Sequence, residues 1–205
     1  MSTAEILADD LSMMMGWNYS VKIGKPGKND IYMALMKPDK ELGDEGYKLS
    51  VNRYAGIEAP TRKGVFWGTR TLLQMLYKQQ GKISKGTARD FPLFPNRGFM
   101  IDAGRKFFTL DYLKQYVKIL SFYKMNEFQI HLNDNGFPQF FDNDWNKTYA
   151  AFRLESERFS RSDPQKTARI PKKEFTDLQR LGMEYGVNVI PEIDIPAHSL
   201  AVHSL

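Results

Sequence analysis

Residues 97–103 read Arg97-Gly-Phe-Met-Ile-Asp-Ala103, residues 127–132 read Glu127-Phe-Gln-Ile-His-Leu132, and residues 187–193 read Val187-Asn-Val-Ile-Pro-Glu-Ile193. Each is a short apolar run that closes near a polar group, as a strand buried between two layers does. Between the first two runs, Thr109 to Lys124 sets Leu110, Leu113, Val117 and Leu120 at helical spacing. Before the third, Pro171 opens and Gly186 closes another helical stretch. Strand, helix, strand, long loop, helix, strand predicts parallel βα units with right-handed crossovers, the start of either an open α/β sheet or a (β/α)8 barrel. No Gly-rich fingerprint follows a strand, since Gly98 lies inside the first run and the turn Asp102-Ala-Gly-Arg105 has one glycine. That disfavours a dinucleotide fold.

Upstream the rhythm differs. Ser2 and Glu5 have capping-box spacing, and Ile6, Leu7, Leu11, Met14 and Met15 follow at helical period, so the chain opens with a helix. Met13 to Met15 are read as part of a core stripe rather than a soft binding surface. Ile31 to Met36, Tyr47 to Val51 and Gly56 to Ala59 are short runs between Pro, Gly and Asp clusters, which predicts a small sheet; Lys63 to Tyr77 returns to helical spacing. Residues 1–92 are thus expected to form an α+β domain, and residues 93–205 the first three βα units of an incomplete barrel, with Asp90-Phe-Pro-Leu-Phe-Pro95 as the connector.

With 205 residues, 42% of them hydrophobic, the chain can bury a sizeable core. The net charge of +5 comes without a nucleic-acid reading motif, and the basic run from Thr61 to Arg89 is expected to be a solvated helix face and loop. The absence of cysteine excludes disulfides and thiolate chemistry. The first residues lack a signal-peptide pattern, and no stretch is long and apolar enough for a membrane span.

In a barrel, functional groups gather at the C-terminal ends of strands. Read so, the three strands deliver Asp102 with Arg105, then Asn133, Asp134 and Asn135, then Glu192, Asp194 and His198. Caps and loop hydrogen-bonders would produce the same residue types. Arg97 opens the first strand, where it could simply pair with a carboxylate, and His131 lies within the second as a structural histidine. His131, Asp134, Glu192, Asp194, His198 and His203 are all possible metal ligands, but no HxH or HExxH spacing is present, so no metal and no other cofactor is expected. There is no Gly-x-Ser-x-Gly turn for a serine nucleophile. Phe137, Phe140, Phe141, Trp145, Tyr149 and Phe152 crowd the loop after the second strand, either as a rim for the apolar faces of sugars or as the packing of a compact lid.

Arg97-Gly-Phe-Met-Ile-Asp-Ala-Gly-Arg105-Lys-Phe-Phe resembles the first barrel strand and turn of family 20 glycoside hydrolases, the β-N-acetylhexosaminidases. Tyr123-Lys-Met-Asn126 is similar to that family's entry to strand two, His131-Leu-Asn-Asp134 to its His-Leu-Thr-Asp-Asp segment, and Val189-Ile-Pro-Glu-Ile-Asp194-Ile-Pro-Ala-His198 to its Pro-Glu-Ile-Asp-x-Pro-Gly-His stretch. Upstream, Gly46-Tyr-Lys-Leu-Ser50 and Gly64-Val-Phe-Trp-Gly68 look like the α+β domain that precedes the barrel in these enzymes.

The resemblance implies an exo-acting retaining hydrolase of terminal β-linked N-acetylhexosamine in which the substrate's own acetamido oxygen is the nucleophile. The family's Asp-Glu pair, which orients that group and supplies the general acid, has no counterpart up to Leu205, so the chain alone is expected to be inactive. Carried over residue by residue, Arg97 matches the arginine that holds sugar hydroxyls, and Asp134 and His198 match polar residues of the same pocket; Asp102, Arg105, Glu192 and Asp194 are expected to support them. Asn135 and Ala197 depart from the usual Asp and Gly. The implied partner is an oligosaccharide or glycoconjugate ending in β-N-acetylhexosamine, with neither nucleic acid nor a membrane span, and an exported protein shown without its leader is expected. Two other readings stand beside it: a barrel glycosidase using Asp134 and Glu192 as its own acid and nucleophile, and a carbohydrate-binding protein without catalysis.

Overall fold

The structure, a computed structural model, describes residues 1–157 and 168–203. It divides into two compact units, Met1–Pro95 with Phe122–Lys124, and Asn96–Ser121 with Met125–Leu205.

The first unit opens with helix α1 (Thr3–Met15), whose capping box is closed at both arms: the Glu5 N–H donates to Ser2 Oγ and the Ser2 N–H to Glu5 Oε2. Ile6, Leu7 and Leu11 are buried while Met13 is exposed, so the apolar period and not the methionine cluster sets the packed face. Strands β1 (Ile31–Leu35), β2 (Tyr47–Val51), β3 (Ala55–Ala59) and β4 (Gly86–Asp90) form one sheet in the order β1-β3-β2-β4, with β1 parallel to β3 and the other pairs antiparallel. Helix α2 (Arg62–Lys78) is capped by Thr61 and buries Val65, Phe66, Trp67, Leu72 and Leu73. It settles closely on the sheet at Gly68, where an added Cβ would meet Ile57 Cγ2 at 2.5 Å.

Two expectations for the basic run fail in this unit. Gly86–Asp90 is a strand, and its pattern of exposure on nearly every residue explains why apolar periodicity misses it. Arg70 is not solvated: it is 1% exposed and its Nη1 donates to the buried carboxylate of Asp10. A cation so placed needs a buried counter-charge, which a one-dimensional charge count cannot reveal.

The second unit holds β5 (Gly98–Asp102), α3 (Leu110–Phe122), β6 (Glu127–His131), β7 (Asn133–Asn135), a 3-10 turn (Pro138–Phe140), β8 (Ala150–Phe152), α4 (Lys172–Glu184), β9 (Asn188–Glu192) and α5 (Leu200–His203). β5, β6 and β9 are parallel, with β6 in the middle. Their register aligns Phe99 with Phe128 and Val189, and Asp102 with His131 and Glu192. On one face Phe128 and Val189 are buried, as are Leu113, Val117 and Leu120 of α3 and Phe175 and Leu178 of α4, and the Tyr116 ring stacks on Phe99 and Phe128. Side chains alternate along a strand, so the register that aligns Phe99, Phe128 and Val189 also sets three polar strand ends side by side.

Candidate active site

Past Asp102 the chain turns through Ala103 and Gly104, whose N–H groups both donate to the His131 carbonyl at 3.0 Å. An added Cβ on Gly104 would lie 2.7 Å from Asp134 Cβ and 2.8 Å from Asp134 N, so the turn is pressed against Asp134 at a distance that only glycine permits. Arg105 follows. Its N–H donates to Asp102 Oδ1 at 2.9 Å, and its Nη1 lies 2.9 Å from Asp102 Oδ2 and 3.0 Å from Asp134 Oδ2. The guanidinium carbon sits 5.5 Å from the Phe137 ring centroid, and the side chain is 41% exposed. A cation fixed by two carboxylates and an aromatic ring, with donors left toward solvent, is a hydroxyl-binding group in form.

Asp134 is fully buried. Its Oδ1 accepts from the Asn135 N–H at 2.7 Å and lies 2.9 Å from His198 Nδ1, while Oδ2 faces His131 Nε2 at 2.9 Å and Arg105. Burial pushes the carboxyl up, but the donors from Asn135, His198, His131 and the Arg105 charge outweigh it and hold Asp134 below the usual carboxylate range. His131 has Nε2 on Asp134 and Nδ1 on Glu192 Oε1 at 2.8 Å. Burial alone would favour the neutral ring; with a carboxylate at each nitrogen both must donate, and the pKa is raised. Glu192 also accepts from Gln129 Nε2, and that bond together with His131 outweighs burial to lower its pKa.

A general acid needs its pKa raised toward the working pH. Asp134 and Glu192 are both lowered, and the His131 ring stands between them with one nitrogen on each. Neither carboxyl thus has the raised pKa that the acid of such a pair needs, and His131 occupies an oxygen of each.

The loop after β9 is held by Asn133, a buried amide at the end of the central strand. Its Nδ2 donates to the carbonyls of Asp194 and His198, both at 2.9 Å, and its Oδ1 accepts from the Asp194 N–H at 2.9 Å. Held so, His198 takes φ +56°, a left-handed conformation uncommon outside glycine, and presents a half-exposed ring to Asp134. Asp194 brings a carboxylate oxygen close to the ligand atoms of His131 and Glu192.

Of the residues singled out by sequence, Asp102, Arg105, Asp134, Glu192, Asp194 and His198 come together, with His131 at the centre. Arg97 does not join them. Its N–H donates to Asn126 Oδ1 at 2.8 Å and its carbonyl accepts from the Asn126 N–H at 2.9 Å, at the N-terminal end of β5. Five strand steps of about 3.3 Å separate it from Asp102, roughly 16 Å, more than an arginine side chain spans. The guanidinium that reaches the cluster is Arg105. Sequence reasoning had Arg105 at the C-terminal end of the strand and Arg97 at its opening; the resemblance nevertheless gave the sugar contact to Arg97 and only a supporting role to Arg105.

The sets His131–Asp134–His198 and His131–Glu192–Asp194 each bring ligand atoms within 4.8 Å of one another. A cation there would compete with the Arg105 guanidinium, 3.0 Å from Asp134 Oδ2, and with the bonds that already occupy both ring nitrogens of His131. His203 has its side chain outside the described residues. Among the loop aromatics, Phe137, Phe140 and Trp145 are exposed, while Phe152 is buried with Ala150 and Ala201. Arg153, buried just beyond β8, was missed by sequence reasoning; a lone cation at the end of the apolar run Tyr-Ala-Ala-Phe was the available signal.

Residues 94–204 match the glycosyl hydrolase family 20 catalytic domain, and residues 1–91 match domain 2 of the same family. A beta-hexosaminidase of Akkermansia muciniphila is 30% identical over 91% of this chain and 40% of its own length, and one of Porphyromonas gingivalis is 28% identical over 97% and 26%. The chain thus spans less than half the length of these relatives. Among solved structures, the GH20 beta-N-acetylhexosaminidase of Streptomyces coelicolor superposes with a TM-score of 0.76 at 26% identity, covering 97% of this chain and 40% of that one. A mutant Streptomyces plicatus beta-hexosaminidase in complex with the product GlcNAc gives 0.78 at 25% identity with the same coverage. Strand ends converging on a buried carboxylate, and matches in order over both units, lead to one conclusion: the chain belongs to glycosyl hydrolase family 20.

Proposed function

We propose that these residues form the hydroxyl-holding half of the sugar pocket in an exo-acting, retaining β-N-acetylhexosaminidase. The observation that carries the reading is Asp134, a buried carboxylate that holds Arg105, His131 and His198 around one point at the strand ends. Arg105 then grips hydroxyls of the terminal sugar with its outward donors, and Asp134 fixes both that guanidinium and the His198 ring. In the proposed reaction the acetamido oxygen of the substrate attacks its own anomeric carbon to give an oxazolinium, and water then opens it with retention. The proton for the leaving oxygen comes from an acid beyond Leu205, since Asp134 and Glu192 are held ionised.

The test compares an aryl β-N-acetylglucosaminide with the corresponding aryl β-glucoside, using the natural protein that contains this chain. Hydrolysis of the first and not the second is expected, because only the first carries its nucleophile. Comparable cleavage of both would mean that a protein nucleophile operates.

A further inference from the structure

We propose that Arg153 is a positioning residue for Arg105, acting through the turn between them; the inference rests on the sugar-pocket reading above. Arg153 is 2% exposed. Its backbone N–H donates to the Leu132 carbonyl at 2.8 Å, which fixes it beside the end of β6. From there the side chain reaches back to the turn after β5: Nε donates to the Ala103 carbonyl at 2.9 Å and Nη2 to the Gly104 carbonyl at 3.2 Å. Those are the two carbonyls immediately before Arg105. Nη1 donates to the Ala168 carbonyl at 3.1 Å, and Nη2 also donates to the Tyr149 hydroxyl, which itself donates to the Gly104 carbonyl at 3.4 Å.

The turn is thus gripped from two sides. On one, Gly104 abuts Asp134 and the Ala103 and Gly104 N–H groups share the His131 carbonyl. On the other, the planar fork of Arg153 takes the carbonyls of the same two residues. Burying a guanidinium is costly unless its donors are used, so this one has a narrow choice of positions. A small shift of the turn would lift Arg105 from Asp134, and polar contacts depend steeply on distance. Lysine carries the charge but lacks the fork that spans both carbonyls.

The experiment is a double-mutant cycle in the natural protein on an aryl β-N-acetylglucosaminide, with R105A, R153M and R105A/R153M. If Arg153 works through Arg105, R153M lowers kcat/KM at least tenfold alone and less than threefold on top of R105A, while its effect on Tm is the same in both backgrounds. Equal losses of kcat/KM in the two backgrounds would overturn the inference. Should R153M fail to fold, Y149F, which removes one acceptor of the fork, takes its place in the cycle and is expected to lower kcat/KM about threefold only when Arg105 is present; an equal loss without Arg105 would again overturn it. A wild type that does not hydrolyse the substrate sinks the pocket reading alone. Arg153 is then judged by a crystal structure of R153M, or of Y149F: Arg105 displaced from Asp134 supports the inference, and Arg105 held there as before overturns it.

Discussion

Arg105 lies 3.0 Å from Asp134 through its Nη1, although a whole helix and strand separate the two in sequence. The pair joins a half-exposed guanidinium to a fully buried carboxylate, so one partner is free to meet a ligand and the other is not. That asymmetry makes the two substitutions separable.

Replacing Arg105 by Ala should lower kcat/KM at least tenfold, because it removes charge-assisted hydrogen bonds worth roughly 1.5–3 kcal/mol each from a ligand. Arg97→Ala, at the far end of the strand, should change kcat/KM less than threefold. Steady-state kinetics on both variants decides between the arginines, and a larger loss at Arg97 would return the sugar contact to it.

Asp134→Asn should be a stability lesion first. An amide has one acceptor oxygen where the carboxylate serves His131, His198, Arg105 and the Asn135 N–H, so at least one cation is left without its counter-charge. Breaking a buried pair in this way costs about 3–5 kcal/mol. His198→Ala removes a half-exposed ring and one hydrogen bond and should cost about 1 kcal/mol, while still reducing activity. Chemical denaturation of both variants measures the contrast; equal destabilisation would mean that Asp134 is not the hub.

How much of this was legible in the sequence depends on what each residue type advertises. The parallel strands were readable because apolar runs such as Phe-Met-Ile and Phe-Gln-Ile end on polar groups, and that pattern is local. β4 was not, because an exposed edge strand carries no apolar alternation. Asp134 and His198 were readable as strand-end polar residues. Arg97 received the sugar contact from the resemblance, although Arg105 was already read at the C-terminal strand end. Arg153 was missed for a physical reason: which carbonyl a guanidinium reaches is fixed by pairing across the sheet, and a linear pattern does not contain it.

pH should act on the cluster from both sides. His131 gains two carboxylates on folding and its pKa rises above the ordinary 6.5, so the stability it contributes is complete below 6.5 and is lost as pH climbs through the folded value. Asp134 and Glu192 are held below their ordinary 3.8 and 4.5; their share is present above those values and is lost as pH falls through the folded ones. Tm should therefore peak between pH 4.5 and 6.5 as far as these groups decide it. In H131Q the decline on the alkaline side should flatten. An unchanged alkaline limb in that variant would show that His131 is not the group responsible.

Asn133→Asp offers the most discriminating test of the loop that carries His198, because it changes one atom. In the wild type, Nδ2 donates to the carbonyls of Asp194 and His198, and Oδ1 accepts from the Asp194 N–H. Aspartate keeps the acceptor but turns the donor into an oxygen facing two carbonyls. Protonated, it can still donate once; ionised, it repels both and is buried besides. Its folded pKa must then exceed the ordinary value of about 3.9. A carboxyl whose pKa is raised on folding costs stability increasingly as pH rises above that ordinary value, by about 1.4 kcal/mol for each pH step of one until the folded pKa is reached. The Tm difference between wild type and N133D should accordingly be small near pH 4 and widen toward neutrality, with loss of activity following the same course as His198 is released from Asp134. A Tm difference that stays constant across that range would show that the donor of Asn133 does not hold the loop.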